Sequence, residues 1–376
     1  MKIVLIGTVS SSIFGFRKLL LHSLVKQGHD VYILTTDLTP EIEARAKTEL
    51  NVTAIRYTLA RTGLNPLADI KTMLALSKIL KSISPDIAFS YFSKPLIWGT
   101  LACKLAGIKR CYGMIEGLGY FFTVDPNNRS LKKNLVRLIQ VLLFKISIPK
   151  LTGLIFLNSD DQNEITNKYK IKVKKSIVLG GIGLDLNEYK YRTKAPEGLS
   201  FIFIGRLLVE KGINEFLDAA EIIYNKYPHV SFNILGRLDV GNPGAVDMKR
   251  LERLKQDNIV IHPGEVKNVT EWLTSTSVFV LPSYREGVPR STQEAMAVGL
   301  PVITTDVPGC RETIIDGVNG FLIPPQSSDA LVIAMEKFTL DEELITTMGN
   351  KSRMMAEKKF NAIEINYKLM SFLDVL

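Results

Sequence analysis

Short, continuously apolar runs alternate with amphipathic stretches along the chain. The alternation runs through a full cycle, lapses, and starts again. In the first half KIVLIG, DVYIL, VTAIRY, DIAFSY, LTGLIFL and KKSIVL have the length and unbroken hydrophobicity of strands buried on both faces. Between them, 15–27, 68–83, 95–106 and 130–149 carry helical spacing. Strand–helix alternation of this kind admits few arrangements, and the favoured one is a parallel sheet covered by helices on both faces. At 180–198 the text GGIGLDLNEYKYRTKAPEG has neither period. The pattern then restarts with LSFIFIGR, VSFNILGR, NIVIHPG, SVFVLPS and LPVITT, each followed by a helix-like segment. The predicted fold is α/β, with two doubly wound domains whose strand C-termini face one central cleft. The expected boundaries are a first domain over 1–180, a linker over 181–198, a second domain over 199–359, and a helical tail over 360–376 that crosses back to the first domain.

A length of 376 residues suits two such cores better than one. Residues 1–200 carry 29 Lys and Arg against 15 Asp and Glu, a net of +14, and the remainder is net −5. The basic half contains SLKKNLVRLIQVLLFKISIP, in which Leu135, Leu138, Ile139, Leu142 and Ile146 form one helical stripe beside Lys132, Lys133, Arg137 and Lys145. Such a segment either rests on an anionic membrane or turns its stripe into the first domain's core. It is interrupted by charge and does not qualify as a spanning helix. The N-terminal MKIVLIG is too short for a signal-peptide core. Three scattered cysteines make a reducing cytosol the default compartment.

Three segments carry candidate chemistry. Gly7 to Gly15 is the first strand-to-helix loop, which lines the ligand crevice in an open α/β sheet. It lacks G-x-G-x-x-G spacing, so a nicotinamide fingerprint is not supported. Gly15 would let backbone approach a ligand, and Arg17 falls in the first turn of the following helix. Arg206 directly follows a strand, with Lys211 five residues on at a helix start. Two cations beside free helix amides suit a diphosphate; a surface salt bridge with Glu210 or Glu215 is the competing use. In SYREGVPRSTQEAMAVG, Glu286 lies on a loop, Pro289 is a first helical residue, and Glu294 falls about one turn into the helix. Carboxylates so placed can each accept paired hydroxyls of a sugar or a ribose.

Taken together, EGVPRSTQE with seven residues between its glutamates, GRLLVEKG, GGIGLDLNEY and PGCRETIIDGVNGFLIPP resemble the signatures of the retaining GT-B glycosyltransferases of glycosyltransferase family four. That family's fold is two Rossmann-like domains. The resemblance implies that Arg206 and Lys211 grip the diphosphate of a UDP-sugar and that Glu286 holds the transferred sugar. Gly287, Val288 and Pro289 would add backbone contacts and Glu294 would hold the ribose. It also implies that Gly15 offers its amide to the diphosphate and that Arg237 and Val266 border the base. Many relatives carry a histidine near the acceptor. The matching loop here, Gly113 to Tyr120, has none, which makes Glu116 the candidate base or acceptor contact, with Arg17 beside the acceptor. By the same resemblance the chain would transfer a hexose or N-acetylhexosamine to a lipid-diphosphate-linked saccharide. It would do so in bacterial polysaccharide or glycan assembly, on the inner face of the cell membrane.

No D-x-D triplet occurs, and His22, His29, His229 and His262 have no ligand spacing, so neither a metal nor another cofactor is expected. A sugar-nucleotide epimerase of the same fold is the main alternative, and the E-x7-E helix argues against it. A non-catalytic polysaccharide module would not need the cation pair with both glutamates. A nucleic-acid partner would suit the basic charge, but no finger, basic-zipper or RRM pattern is present.

Overall fold

Seven apolar runs pair in parallel into the first sheet, with the amphipathic segments between them as helices. A computed structural model of the chain describes residues 1–59, 65–123, 130–192, 194, 196–239, 242 and 244–376. In chain order the first elements are β1 (Lys2–Ile6), α1 (Ser11–Gly15), α2 (Lys18–Lys26), β2 (Asp30–Thr35), α3 (Pro40–Leu50), β3 (Thr53–Arg56) and α4 (Pro66–Ile83). They continue with β4 (Ile87–Tyr91), α5 (Ser93–Ala106), β5 (Arg110–Ile115), α6 (Leu131–Ser147), β6 (Gly153–Phe156), α7 (Ser159–Asn163) and β7 (Ser176–Val178). The strand order is β3-β2-β1-β4-β5-β6-β7. The order reverses between β1 and β4, so the loops after these two strands flank a ligand crevice.

The second sheet is built in the same way from β8 (Ser200–Ile204), α8 (Ile213–Lys226), β9 (Ser231–Leu235), α9 (Met248–Gln256), β10 (Val260–Gly264), α10 (Val269–Thr274) and β11 (Val278–Leu281). It is completed by α11 (Arg290–Val298), β12 (Val302–Thr305), β13 (Gly320–Ile323), α12 (Ser328–Leu340) and α13 (Glu343–Lys359). Its order is β10-β9-β8-β11-β12-β13, with the reversal between β8 and β11. One face of its strands is aromatic: Phe201, Phe203 and Phe232 are fully buried, and Phe216 of α8 packs on Phe203 and Phe232. The expected fold class, two doubly wound parallel sheets, is what forms.

The chain divides into two compact units, residues 1–182 with 362–376, and residues 183–361. The boundaries therefore differ from those drawn at 180, 198 and 359. Residues 183–192, expected as linker, pack into the second unit because their polar groups find partners there. Leu184 N donates to Phe360 O at 2.8 Å, and Arg192 donates to Ser277 O at 3.0 Å. Residues 193 and 195 of that expected linker lie outside the described residues. The C-terminal helix Ala362–Phe372 packs within unit 1, where Phe372 meets Tyr112 edge-on and Asp374 accepts from the Tyr112 hydroxyl at 2.9 Å.

Several elements escape the periodicity reading, among them β5, β13 and α3. β5 was taken partly as loop, since Gly113 interrupts its apolar run. An added Cβ at this glycine would come 2.9 Å from Leu151 and 3.0 Å from Leu96, so both leucines would have to shift. β13 is only four residues long. α3 is strongly charged, and it starts on Thr39, whose hydroxyl accepts from Ile42 N, with Pro40 at its first position.

Candidate active site

In unit 2 the expected donor residues follow the two strands that flank the reversal point. After β8 the chain makes a single 3-10 turn, Val209–Lys211, and enters α8 through Gly212. Gly212 has φ +75°, and a Cβ there would overlap the Pro282 carbonyl. This close approach presses the start of α8 against the end of β11. Lys211 Nζ thereby reaches Glu286 Oε1 at 2.5 Å, and Ser283 Oγ donates to the same oxygen at 2.7 Å. Both side chains are largely but not fully enclosed, at 20% and 12% exposed. The Glu286 loop is tied down at both ends. Glu286 N donates to Pro308 O at 3.0 Å, and Tyr284 donates from N to Glu210 O at 3.0 Å and from its hydroxyl to Glu215 Oε1 at 2.6 Å.

Arg206 is more exposed and meets Asp239 at 3.4 Å and Glu210 at 3.7 Å, distances that leave its guanidinium easily redirected. The contact with Glu210 is one of the two salt bridges considered from sequence. Glu215 instead serves Tyr284, and burial pushes its carboxyl up. Cys310 lies under this loop with its thiol pushed to about 12 by burial and then by Glu286, so it stays protonated.

Glu294 has a separate set of partners. Tyr189 donates its hydroxyl to Glu294 Oε1 at 2.8 Å, and Arg290 Nε donates to the same oxygen at 2.8 Å. One carboxylate oxygen is thus held by two donors. Burial, and then the neighbouring carboxylate, push the Tyr189 phenol up, so it remains a donor at all working pH. Neither Tyr189 nor Arg290 was singled out from sequence, although Arg290 lies inside the E-x7-E segment and Tyr189 ends GGIGLDLNEY.

Gly287, Val288 and Pro289 are buried at the start of α11. Pro289 caps the helix, one position earlier than expected. It has no N–H, and its carbonyl accepts from Gln293 N at 3.3 Å, while the Val288 carbonyl accepts from Gln293 Nε2 at 3.2 Å. Backbone donation from this turn therefore falls to Gly287 and Val288. Arg237 is exposed just beyond β9 and Val266 is half-buried just beyond β10. His262 donates to, or through its tautomer faces, Gly236 O at 3.0 Å, a tie between β10 and the end of β9.

In unit 1 the loop after β1 is anchored by Asp37, which accepts from Ser10 N at 2.8 Å, Ser10 Oγ at 3.0 Å and Thr35 Oγ1 at 2.7 Å. Gly15 ends the short helix α1. An added Cβ there meets nothing within 4 Å, so packing within the chain does not require glycine. Arg17 is not in the first turn of a continuous helix but caps α2 after a break at Phe16. It is 2% exposed, lies 4.7 Å over the Tyr91 ring, and forms a buried ion pair with Glu116 just beyond β5. Its Nε has no partner among the described residues. Burial pushes the Glu116 carboxyl up, and Arg17 opposes the rise.

Between Tyr91 and α5, Phe92 adopts φ +70° and ψ 154°, a region almost restricted to glycine. Strain of this kind concentrates where geometry serves a ligand, and no feature of the sequence FSYFS announces it. The structure thus brings Lys211 to Glu286 in one unit and Arg17 to Glu116 in the other. Among the described residues no cluster of three or more His, Cys, Asp or Glu could hold a metal ion.

Two doubly wound sheets, the second with Arg206, Lys211, Glu286 and Glu294 beyond its strand ends, are the frame of a nucleotide-sugar-type transferase. A family model described as Glycosyl transferases group 1 matches residues 187–355, and one described as Glycosyl transferase 4-like matches residues 2–148. The chain belongs to the group 1 glycosyltransferases of GT-B fold and is a glycosyltransferase.

It is 28% identical over 358 residues to the N,N'-diacetylbacillosaminyl-diphospho-undecaprenol alpha-1,3-N-acetylgalactosaminyltransferase of Campylobacter jejuni, covering 92% of this chain and 91% of that one. It is 27% identical over 319 residues to the UDP-Gal:alpha-D-GlcNAc-diphosphoundecaprenol alpha-1,3-galactosyltransferase of Escherichia coli, covering 82% and 79%. Among solved structures, the sucrose-phosphate synthase of Thermosynechococcus elongatus superposes with a TM-score of 0.81 at 17% identity, covering 99% and 98%, a likeness of fold.

Proposed function

We propose that this chain is a retaining, metal-independent transferase that moves a hexose or N-acetylhexosamine from a UDP-sugar to a lipid-diphosphate-linked saccharide during bacterial glycan assembly. The observation that carries the reading is the Lys211–Glu286 pair. The two charges neutralise each other at 2.5 Å. A bound donor would take Lys211, with Arg206, onto its diphosphate and leave Glu286 to accept the sugar hydroxyls. As the bond from the sugar C1 to the diphosphate oxygen breaks, charge grows on that oxygen, and the two cations stabilise it. The acceptor oxygen attacks from the same face, and its proton passes to the departing diphosphate oxygen. The α configuration is thereby kept. The ribose would lie on Glu294, and Arg237 and Val266 would border the base. Arg17 and Glu116 would serve the acceptor, with Glu116 as a contact to its hydroxyls. Two relatives whose names specify diphospho-undecaprenol acceptors support a lipid-linked substrate.

A lipid acceptor calls for a docking face, and α6 supports one on unit 1. Leu131, Leu135, Leu138, Leu142 and Ile146 stand 50–85% exposed along one side of the helix. Tyr120 and Phe121, just upstream, are 49% and 37% exposed. Of the sequence-derived stripe, Ile139 is only half exposed, and Lys133 is buried over the Tyr120 ring at 4.2 Å rather than free at the surface. Lys132 and Lys145 remain outside to meet anionic lipid. Among the described residues no helix is long and apolar enough to cross a membrane. The reading places the protein at the cytoplasmic face of the membrane.

Assaying UDP- and GDP-sugars against a short lipid-diphosphate saccharide tests the whole reading. Turnover with a UDP-sugar and an α-linked product by NMR coupling is expected. A β-linked product, or a GDP-sugar as the sole donor, would overturn it.

A further inference from the structure

We propose a second saccharide-binding site in unit 2, at the N-terminal end of its sheet, in a cavity of about 300 Å³ lined by Glu197, Ser200, His229, Ser231, Asn233 and Trp272. The site does not rest on the transferase reading. Arg206 and Lys211 follow the C-terminal end of β8, whereas Ser200 opens its N-terminal end. A five-residue strand separates the two ends by roughly 16 Å.

The sheet's composition marks the place. Strand register pairs Ser200 with Ser231 and Ile202 with Asn233, so these side chains share the face opposite the buried Phe201, Phe203 and Phe232. A parallel sheet covered on both faces should be apolar there, and asparagine is disfavoured in strands. Yet Asn233 sits mid-strand at 8% exposed, and among the described residues no group bonds its carboxamide. Its carboxamide opens on the cavity, so its donors and its acceptor are left for what enters there. Facing the cavity, the half-buried Trp272 offers a ring, and its indole N–H also finds no acceptor among the described residues.

The lining selects the ligand. Among the described residues no lysine or arginine borders the cavity, so they offer no counter-charge for a phosphate or a nucleotide. An amide, hydroxyls, a carboxylate and an imidazole around one indole face match a ligand that is hydroxyl-rich at its edges and apolar on its ring faces. That is a neutral pyranose. The volume lies at the small end for ligand pockets, which fits a single ring or the end of a short glycan.

Saturation-transfer NMR on the full chain, with UDP in excess, tests the site using N-acetylgalactosamine, N-acetylglucosamine, galactose and glucose as probes. At least one should bind with Kd near ~1 mM. Trp272→Ala should abolish the signal with the melting temperature preserved. Asn233→Val should abolish it with the melting temperature preserved. Glu286→Ala, in the donor site, should leave it intact. No signal from any of the four sugars overturns the proposal. So does a signal that survives both cavity variants, or one lost in Glu286→Ala. Should Trp272→Ala fail to fold, Asn233→Val decides alone.

Discussion

Replacing Arg17 with methionine removes one half of an ion pair whose side chains are 3% and 9% exposed. Breaking a pair this enclosed leaves an uncompensated buried charge and costs about 3–5 kcal/mol. For a unit of this size that lowers the melting temperature by roughly 6–20 °C. The loss depends on pH with a definite sign. Burial already raises the Glu116 carboxyl above its ordinary 4.5, and Arg17 works against that rise. An acid that binds its proton more tightly when folded contributes stability below its unfolded pKa and loses it as pH climbs through the folded value. Without Arg17 the folded value rises further, so the window of lost stability extends upward. Arg17→Met should therefore cost little near pH 5 and most near pH 8. Adding Glu116→Leu should recover much of the loss, since a pair replaced by apolar groups is often neutral. Thermal melts of the two single variants and the double variant at both pH values provide the measurement. A penalty below about 1 kcal/mol, one that is flat with pH, or a double variant no better than Arg17→Met would refute the buried-pair reasoning.

The remaining expectations concern the donor, the lipid and the metal. Lys211→Ala or Arg206→Ala should lower kcat by about 10²–10³ with the fold intact; near-normal turnover would leave the cation as a mere partner of its acidic neighbours. Tyr189→Phe should weaken UDP binding by roughly tenfold with kcat kept, because Glu294 loses one of its two donors; an unchanged affinity, or an equal loss for the 2′,3′-dideoxyribose analogue of UDP, would separate Tyr189 from the ribose. Leu135→Ser with Leu142→Ser removes two half-exposed leucines, each gaining about 1 kcal/mol on burial, and should cut anionic-vesicle affinity roughly 30-fold. Sedimentation equal to that of the unaltered chain would argue against α6 as the docking face. EDTA should leave activity intact, and a loss restored by manganese would contradict the metal-free step.

Much of the fold was legible because each buried strand had to be apolar throughout and each crossover amphipathic. Where local composition broke that rule the reading failed: Gly113 hid β5, charge hid α3, and a four-residue span hid β13. Glu286 and Glu294 stood out because their spacing along one segment is itself the signal. Their partners did not. Lys211 and Glu286 are 75 residues apart and Arg17 and Glu116 are 99 apart, and no local pattern predicts that such groups will meet. Tyr189 was invisible for a different reason, since its segment has no period and was read as linker. The exposed side of α6 was left open because a helical stripe shows which residues share a face but not what covers it.

The chain leaves unit 1 at Ile182 and returns to it at Ala362, so unit 2 is an insertion in the sequence of unit 1. Its own ends lie side by side, with Leu184 N bonded to Phe360 O at 2.8 Å, as suits an inserted domain. Translation therefore supplies every residue of the second unit before it supplies the last fifteen residues of the first. Those fifteen include Phe372 against Tyr112, and Val375, whose carbonyl lies 3.1 Å from His29. On the ribosome, the unit that begins second can finish first, while the earlier sheet waits for the helix that returns to it. A truncation before Ala362 would spare unit 2 and strike unit 1.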